Sequence, residues 1–156
     1  MNRVTSHRRI EPVAAAMDLL PGRLRDLASQ CHVFTEDPVH AGLHDYQKAS
    51  YERSYRDTPH VTYDYHQKGL LRAHRATTVV LPEIVTVEAA VHELGHVIHY
   101  VLGDEHTAEA VTWYGATNRY EAFSEALTSW IIPGYAEPPG APTSALFEAL
   151  AAGYCP

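Results

Sequence analysis

Nowhere in the chain do apolar residues run on for the roughly 18 positions that a membrane span needs, so the sequence predicts a soluble protein with no membrane span. The basic N-terminus is followed by only a short apolar patch, broken by Glu11, Pro12 and Asp18. That patch is too interrupted for the apolar region of a secretory leader. The expected setting is the cytoplasm, or delivery as an effector or toxin domain; a secreted protein without its leader reads the same way. Cysteine is scarce: Cys31 and Cys155 are far apart and lack the CxxC spacing of a metal knuckle or redox pair, so two unpaired thiols are expected. Also missing is any Lys/Arg stripe interleaved with aromatic residues. At a formal net charge of -7, the chain is a poor match for a phosphate backbone, and nucleic acid is not expected as a partner. There is no internal repeat and no low-complexity tract.

What is present is enough for one compact domain over residues 1–156, since a chain of this length buries about 70% of its unfolded surface. Residues 14–20 and 23–29 read as two short helical pieces split by Pro21-Gly22. Strand character follows at 32–35, 61–65 and, most clearly, Thr77 to Leu81, where β-branched residues end at Pro82. Residues 37–56 are polar and tyrosine-rich, with no element assigned. From Thr86 the period changes: Val87, Val91, Leu94, Ile98, Val101 and Leu102 recur at helical spacing, and Gly103 closes the helix. Further helices are predicted over 107–113, over 119–132 with Asn118 as N-cap, and over 143–152. The fold class is α+β and α-rich, with a small sheet preceding the main helices.

Histidine is the unusual count, at 11. His92-Glu93-Leu94-Gly95-His96 spells HExxH within the helix that begins at Thr86. Positions four apart lie one above the other on a helix, so both imidazoles reach one metal ion while Glu93 faces the remaining coordination position. Zinc takes neutral imidazole and carboxylate ligands, and a catalytic zinc keeps one position for water, whose pKa it lowers to about 7. Glu93 is then placed to take the proton as that water attacks a carbonyl. A third protein ligand is still needed. The metzincin pattern, with a Gly and a third His farther along, is not met, because this chain has Ile98-His99 and then Leu102. Glu121 and Glu125, one turn apart on the 119–132 helix, are the alternative: one binds the metal and the other hydrogen-bonds a ligand imidazole from behind.

HELGH followed by Tyr114-Gly115-Ala116-Thr117-Asn118 and Glu121-Ala122-Phe123-Ser124-Glu125-Ala126 resembles the peptidase domain of anthrax lethal factor and its relatives, among them the Pro-Pro endopeptidases. That family has a similar Tyr-Gly-x-Thr-Asn stretch leading into a Glu-x-Phe-x-Glu-Ala helix. The resemblance implies a zincin-like domain and a zinc endopeptidase with one zinc per chain, held by His92, His96 and Glu121. It implies that Glu125 supports a ligand from behind and that Tyr114 donates its phenol to the oxyanion or the leaving group. A protein or peptide substrate is expected to lie extended along the strand Thr77 to Leu81, adding to an open edge. The connection from His96 to Glu121 is shorter than in the larger members, and His99 stands where an acidic residue is common. His99 is expected at a partly exposed surface position, with a supporting role behind the metal as the alternative. Two further readings are a regulatory metallopeptidase similar to the ImmA/IrrE group, whose pattern Glu121-Ala122-Phe123 does not follow, and a non-catalytic zinc-containing module that binds a basic protein.

Overall fold

The computed structural model describes residues 5–6, 11–34, 59–63, 77–82 and 85–154. In chain order these form β1 (Thr5–Ser6), α1 (Glu11–Leu19), α2 (Arg23–Ala28), β2 (Cys31–Phe34), β3 (His60–Tyr63), β4 (Thr77–Val80), α3 (Val87–Val101), a 3-10 turn (Gly115–Thr117), α4 (Arg119–Ile131) and α5 (Ala141–Ala151). Helices make up the larger part of the described residues. The strands pair in the order β1-β2-β4-β3. β1 and β4 each run parallel to β2, whereas β3 is antiparallel to β4, with His60 opposite Val80 and Tyr63 opposite Thr77. β4 therefore has a partner on both sides, and its backbone groups are committed to the ladder. An extended substrate cannot add to Thr77–Val80 as expected from the sequence. Among the described strands β3 is the outer one at that end of the sheet. The expected strand at 61–65 is found at His60–Tyr63, and residues 64–65, with the whole of 37–56 and Cys155, lie outside the described part.

Helix α3 is the centre of the molecule. Thr86 caps it, its hydroxyl accepting Ala89 N–H at 3.1 Å, and it ends where Gly103 and Asp104 enter the left-handed region at φ 95° and 57°. Glycine is at home there. Every residue from Ala90 to His99 is buried. One side of α3 packs on α1, α2 and the sheet, with Val13, Ala16, Leu20, Leu24, Leu27 and Val79 meeting Val91, Leu94 and Ile98 in one cluster; α4 covers the other side. Full burial of each such Leu, Ile or Phe side chain is worth about 1.5–3 kcal/mol, so the apolar stripe read from the sequence fixes where α3 sits. Helix α5 completes the core. Phe147 stands edge-on to Phe123 of α4, with ring centroids 5.4 Å apart, and Trp130 lies 5.6 Å from the same ring.

Helix boundaries differ from the sequence reading in two informative ways. Helix α1 begins at Glu11 and α5 at Ala141, ahead of the expected starts at 14 and 143, so Pro12 and Pro142 lie in first turns. Proline fits the first turn of a helix, where its missing N–H is not needed. The predicted helix over 107–113 does not form; the chain is irregular through Val111 and bends only at Thr112–Tyr114, leading into the 3-10 segment. Tertiary contacts hold it instead: His106 carbonyl accepts a hydrogen bond from His99, and the Glu109 carboxylate accepts the N–H of Gly140 at the start of α5.

Candidate metal centre

Helix α3 presents His92 and His96 one turn apart, with ring centroids 4.8 Å apart and planes nearly perpendicular. Their Nε2 atoms approach to 3.1 Å. Helix α4 brings Glu121, whose Oε2 lies 2.9 Å from His92 Nε2 and 3.3 Å from His96 Nε2. Two local features set this meeting. Asn118 Oδ1 accepts the N–H groups of Tyr120 and Glu121, both at 3.0 Å, so α4 starts where the sequence placed its cap and Glu121 falls in the first turn. Gly95 lets the helices touch: a Cβ there would stand 2.8 Å from Ser124 Oγ and 3.2 Å from Ser124 Cα.

The donor set fits a divalent metal ion. His92, His96 and Glu121 form a group whose ligand atoms all lie within 4.8 Å of one another. A four-coordinate zinc with bonds of about 2.0–2.1 Å spaces neighbouring ligands about 3.3 Å apart, close to the three separations of 2.9, 3.1 and 3.3 Å. Glu121 Oε2 is sealed from solvent and meets no properly directed hydrogen-bond donor despite the short approaches. When His92 Nδ1–H donates to Glu125 Oε2 at 3.2 Å, the Nε2 of the neutral ring carries a lone pair, and it faces the lone pairs of Glu121. Acceptors converging in this way need a cation between them. Without a metal a proton serves: burial disfavours the charged imidazole, yet the Glu121 and Glu125 carboxylates prevail and raise the His92 pKa to about 9. Burial likewise opposes ionisation of Glu121, and His92 and His96 beside it hold its carboxyl far below the usual range.

The carboxylate of Glu125 lies against the other side of the His92 ring, its Oε2 3.2 Å from Nδ1. Its Oε2 also accepts the Tyr135 phenol at 2.6 Å, and its Oε1 accepts the Thr112 hydroxyl at 3.0 Å. These bonds outweigh burial and keep Glu125 ionised, with its pKa lowered. Thr112 Oγ1 in turn accepts Gly115 N–H at 2.8 Å, which ties the turn beside Tyr114 to the same carboxylate. Neither Thr112 nor Tyr135 was singled out by the sequence, because nothing in a tyrosine ten positions after Glu125 marks it as a partner. Pro133-Gly134 is the nearest signal: Gly134 at φ 86° turns the chain back after α4.

Glu93 is buried, 6% exposed, on α3 beside His92. Tyr114 is 49% exposed, and its ring centroid lies 6.0 Å from that of His92. Burial, followed by the charge and hydrogen bonding of Glu121, raises the Tyr114 pKa, so the phenol stays a donor. The structure thus brings together His92, Glu93, His96, Tyr114, Glu121 and Glu125. His99 is a correction: it is 0% exposed rather than at the surface. Its ring stacks on Phe123 at 4.3 Å, its Nε2–H donates to the His106 carbonyl at 2.8 Å, and Nδ1 lies 3.7 Å from Asp104. Burial lowers its pKa, and the neutral ring acts as a core residue that fastens the end of α3.

Comparison of the chain with protein-family models, curated proteins and solved structures finds no match. Among the described residues no helix is long and apolar enough to cross a membrane.

Proposed function

We propose that the chain is a zinc-dependent endopeptidase of the lethal-factor-like kind, with a zincin-like fold, one zinc per chain and Glu93 as general base. The observation that carries this reading is the convergence of His92 Nε2, His96 Nε2 and Glu121 Oε2 to within 2.9–3.3 Å of one another. An ion held there supplies Lewis-acid chemistry, polarising a carbonyl oxygen and lowering the pKa of water. The chain's own groups do the rest. Glu93, buried beside His92, takes the proton of the attacking water and returns it to the leaving amine. Tyr114, whose ring centroid lies 6.0 Å from that of His92, donates its phenol to the oxygen on which charge develops. Glu125 fixes the tautomer of His92 through Nδ1. An extended peptide adds to the outer side of β3, the end strand among the described strands β1-β2-β4-β3.

The test is a cleavage-site profile on a proteome digest, run with wild type and Glu93→Ala side by side, together with elemental analysis of both. Glu93→Ala is expected to keep its zinc and fold, and to lose at least about a hundredfold in rate, as for removal of a general base. Equal cleavage by both proteins, or wild type without zinc, refutes the reading.

A further inference from the structure

Both oxygens of Glu125 are held from outside α3 and α4. Thr112 reaches Oε1 from the segment before the 3-10 turn, and Tyr135 reaches Oε2 from the loop after α4. His92 Nδ1 shares Oε2 with Tyr135. A carboxylate bonded at one oxygen can still turn about its Cγ–Cδ bond; bonded at both, it turns only by breaking a bond. The Tyr135 contact, at 2.6 Å, has the length of a charge-assisted O–H···O⁻ bond, about twice as strong as a neutral one. We infer that Tyr135 and Thr112 are positioning residues that clamp Glu125 and thereby set how tightly His92 holds a divalent metal ion. The inference rests on the metal-centre reading above and adds to it two residues and a direction of action.

Two further observations support the clamp. Tyr135 lies exposed in its turn, yet its hydroxyl is directed at Glu125; desolvation, then the bond to Glu125 and its charge, pushes its pKa up, so it remains a donor. Thr112 works in both directions, donating to Glu125 while accepting Gly115 N–H. A Cβ on Gly115 would lie 3.2 Å from Thr112 Oγ1 and 3.3 Å from Glu125 Cβ, so the three groups are already packed closely together. The turn that carries Tyr114 is therefore fastened to the carboxylate that orients His92.

Partners behind a ligand imidazole typically govern metal affinity by about 10- to 100-fold. Tyr135 and Thr112 act one bond further away, so about tenfold is expected for each. The experiment titrates zinc against a chromogenic chelator with the full chain as wild type, Tyr135→Phe, Thr112→Val, Glu125→Ala and the two double variants in the Glu125→Ala background. The expected result is about a tenfold loss for Tyr135→Phe and for Thr112→Val, and no additional loss from either once Glu125 is alanine. Zinc affinity within about twofold of wild type in both single variants, against the tenfold expected, overturns the clamp. So does an undiminished loss in the Glu125→Ala background, which assigns the effect to general destabilisation. Should one variant fail to fold, the other carries the same test. Wild type that binds no zinc overturns the metal centre itself, an outcome distinct from both.

Discussion

Replacing Gly95 by alanine puts a methyl group where α3 and α4 touch. The new Cβ falls 2.8 Å from Ser124 Oγ, 3.2 Å from Ser124 Cα and 3.4 Å from Ser124 Cβ. The hydroxyl can rotate away, but the α-carbon belongs to the backbone of α4, so the helix itself has to yield by a few tenths of an ångström. Alanine gains about 0.8–1.0 kcal/mol over glycine in a helix interior, and overpacking a dense interface costs about 1–3 kcal/mol. The net loss of stability is then about 0–2 kcal/mol, measured by denaturant unfolding of the metal-free protein. The metal should feel more. Glu121 and Glu125 lie within one turn of Ser124 on the displaced helix, and a site of this kind tolerates only about 0.5 Å of error. Zinc affinity is expected to fall by about tenfold or more, and Gly95→Ala/Ser124→Ala should recover only part of it, because the backbone of α4 at position 124 still stands against the new methyl group. A Gly95→Ala protein that binds zinc like wild type refutes the claim that this glycine sets the distance between the ligand-bearing helices.

Glu121→Ala should empty the site in elemental analysis, whereas Glu125→Ala should leave zinc bound more weakly; an emptied site in Glu125→Ala alone would reverse the two roles. Tyr114→Phe should lower kcat by about a hundredfold to a thousandfold, worth about 3–4 kcal/mol, with KM and zinc content little changed. An unchanged kcat with zinc intact would remove Tyr114 from the mechanism. His99 carries the pH prediction: its folded pKa lies below the ordinary value of 6.5 because of burial. Its contribution to stability is thus fully present above about pH 6.5 and is lost as the pH falls through the folded pKa. Melting temperatures of wild type and His99→Gln, compared from neutral pH downward, should converge on acidification; parallel curves would show that His99 does not titrate there.

How much of this was legible before the structure follows from the range of the interactions. The HExxH helix, the Asn118 cap and the placement of Glu121 and Glu125 on one face of α4 are set by neighbours within a turn or so, and a periodic sequence carries that information directly. The interior position of β4 depends on pairings across dozens of residues, which alternation within one strand does not encode. His99 looked like a surface residue because polar side chains usually are; its burial follows from Phe123 on another helix and a carbonyl seven positions on. The starts of α1 and α5 fall earlier than expected for a different reason: Pro12 and Pro142 sit in the first turns, and proline starts a helix well although it stops one from within. Thr112 and Tyr135 are hydroxyl-bearing residues like many others until the fold sets them on Glu125.

The stretch between α3 and α4 has almost no regular structure, yet it is stitched down along its length. His106 is held through its carbonyl by His99, Glu109 accepts Gly140 N–H while its own N–H points at Thr143 Oγ1, and Gly115 N–H is bonded to Thr112. The first three of these bonds tie the stretch to α3 and α5, so lifting it away means parting it from those helices. In hydrogen exchange the Glu109 amide, directed at Thr143 of α5, would open with that helix rather than with the surface loops. Its order comes from bonds to α3 and α5, although a secondary-structure diagram draws it as bare coil.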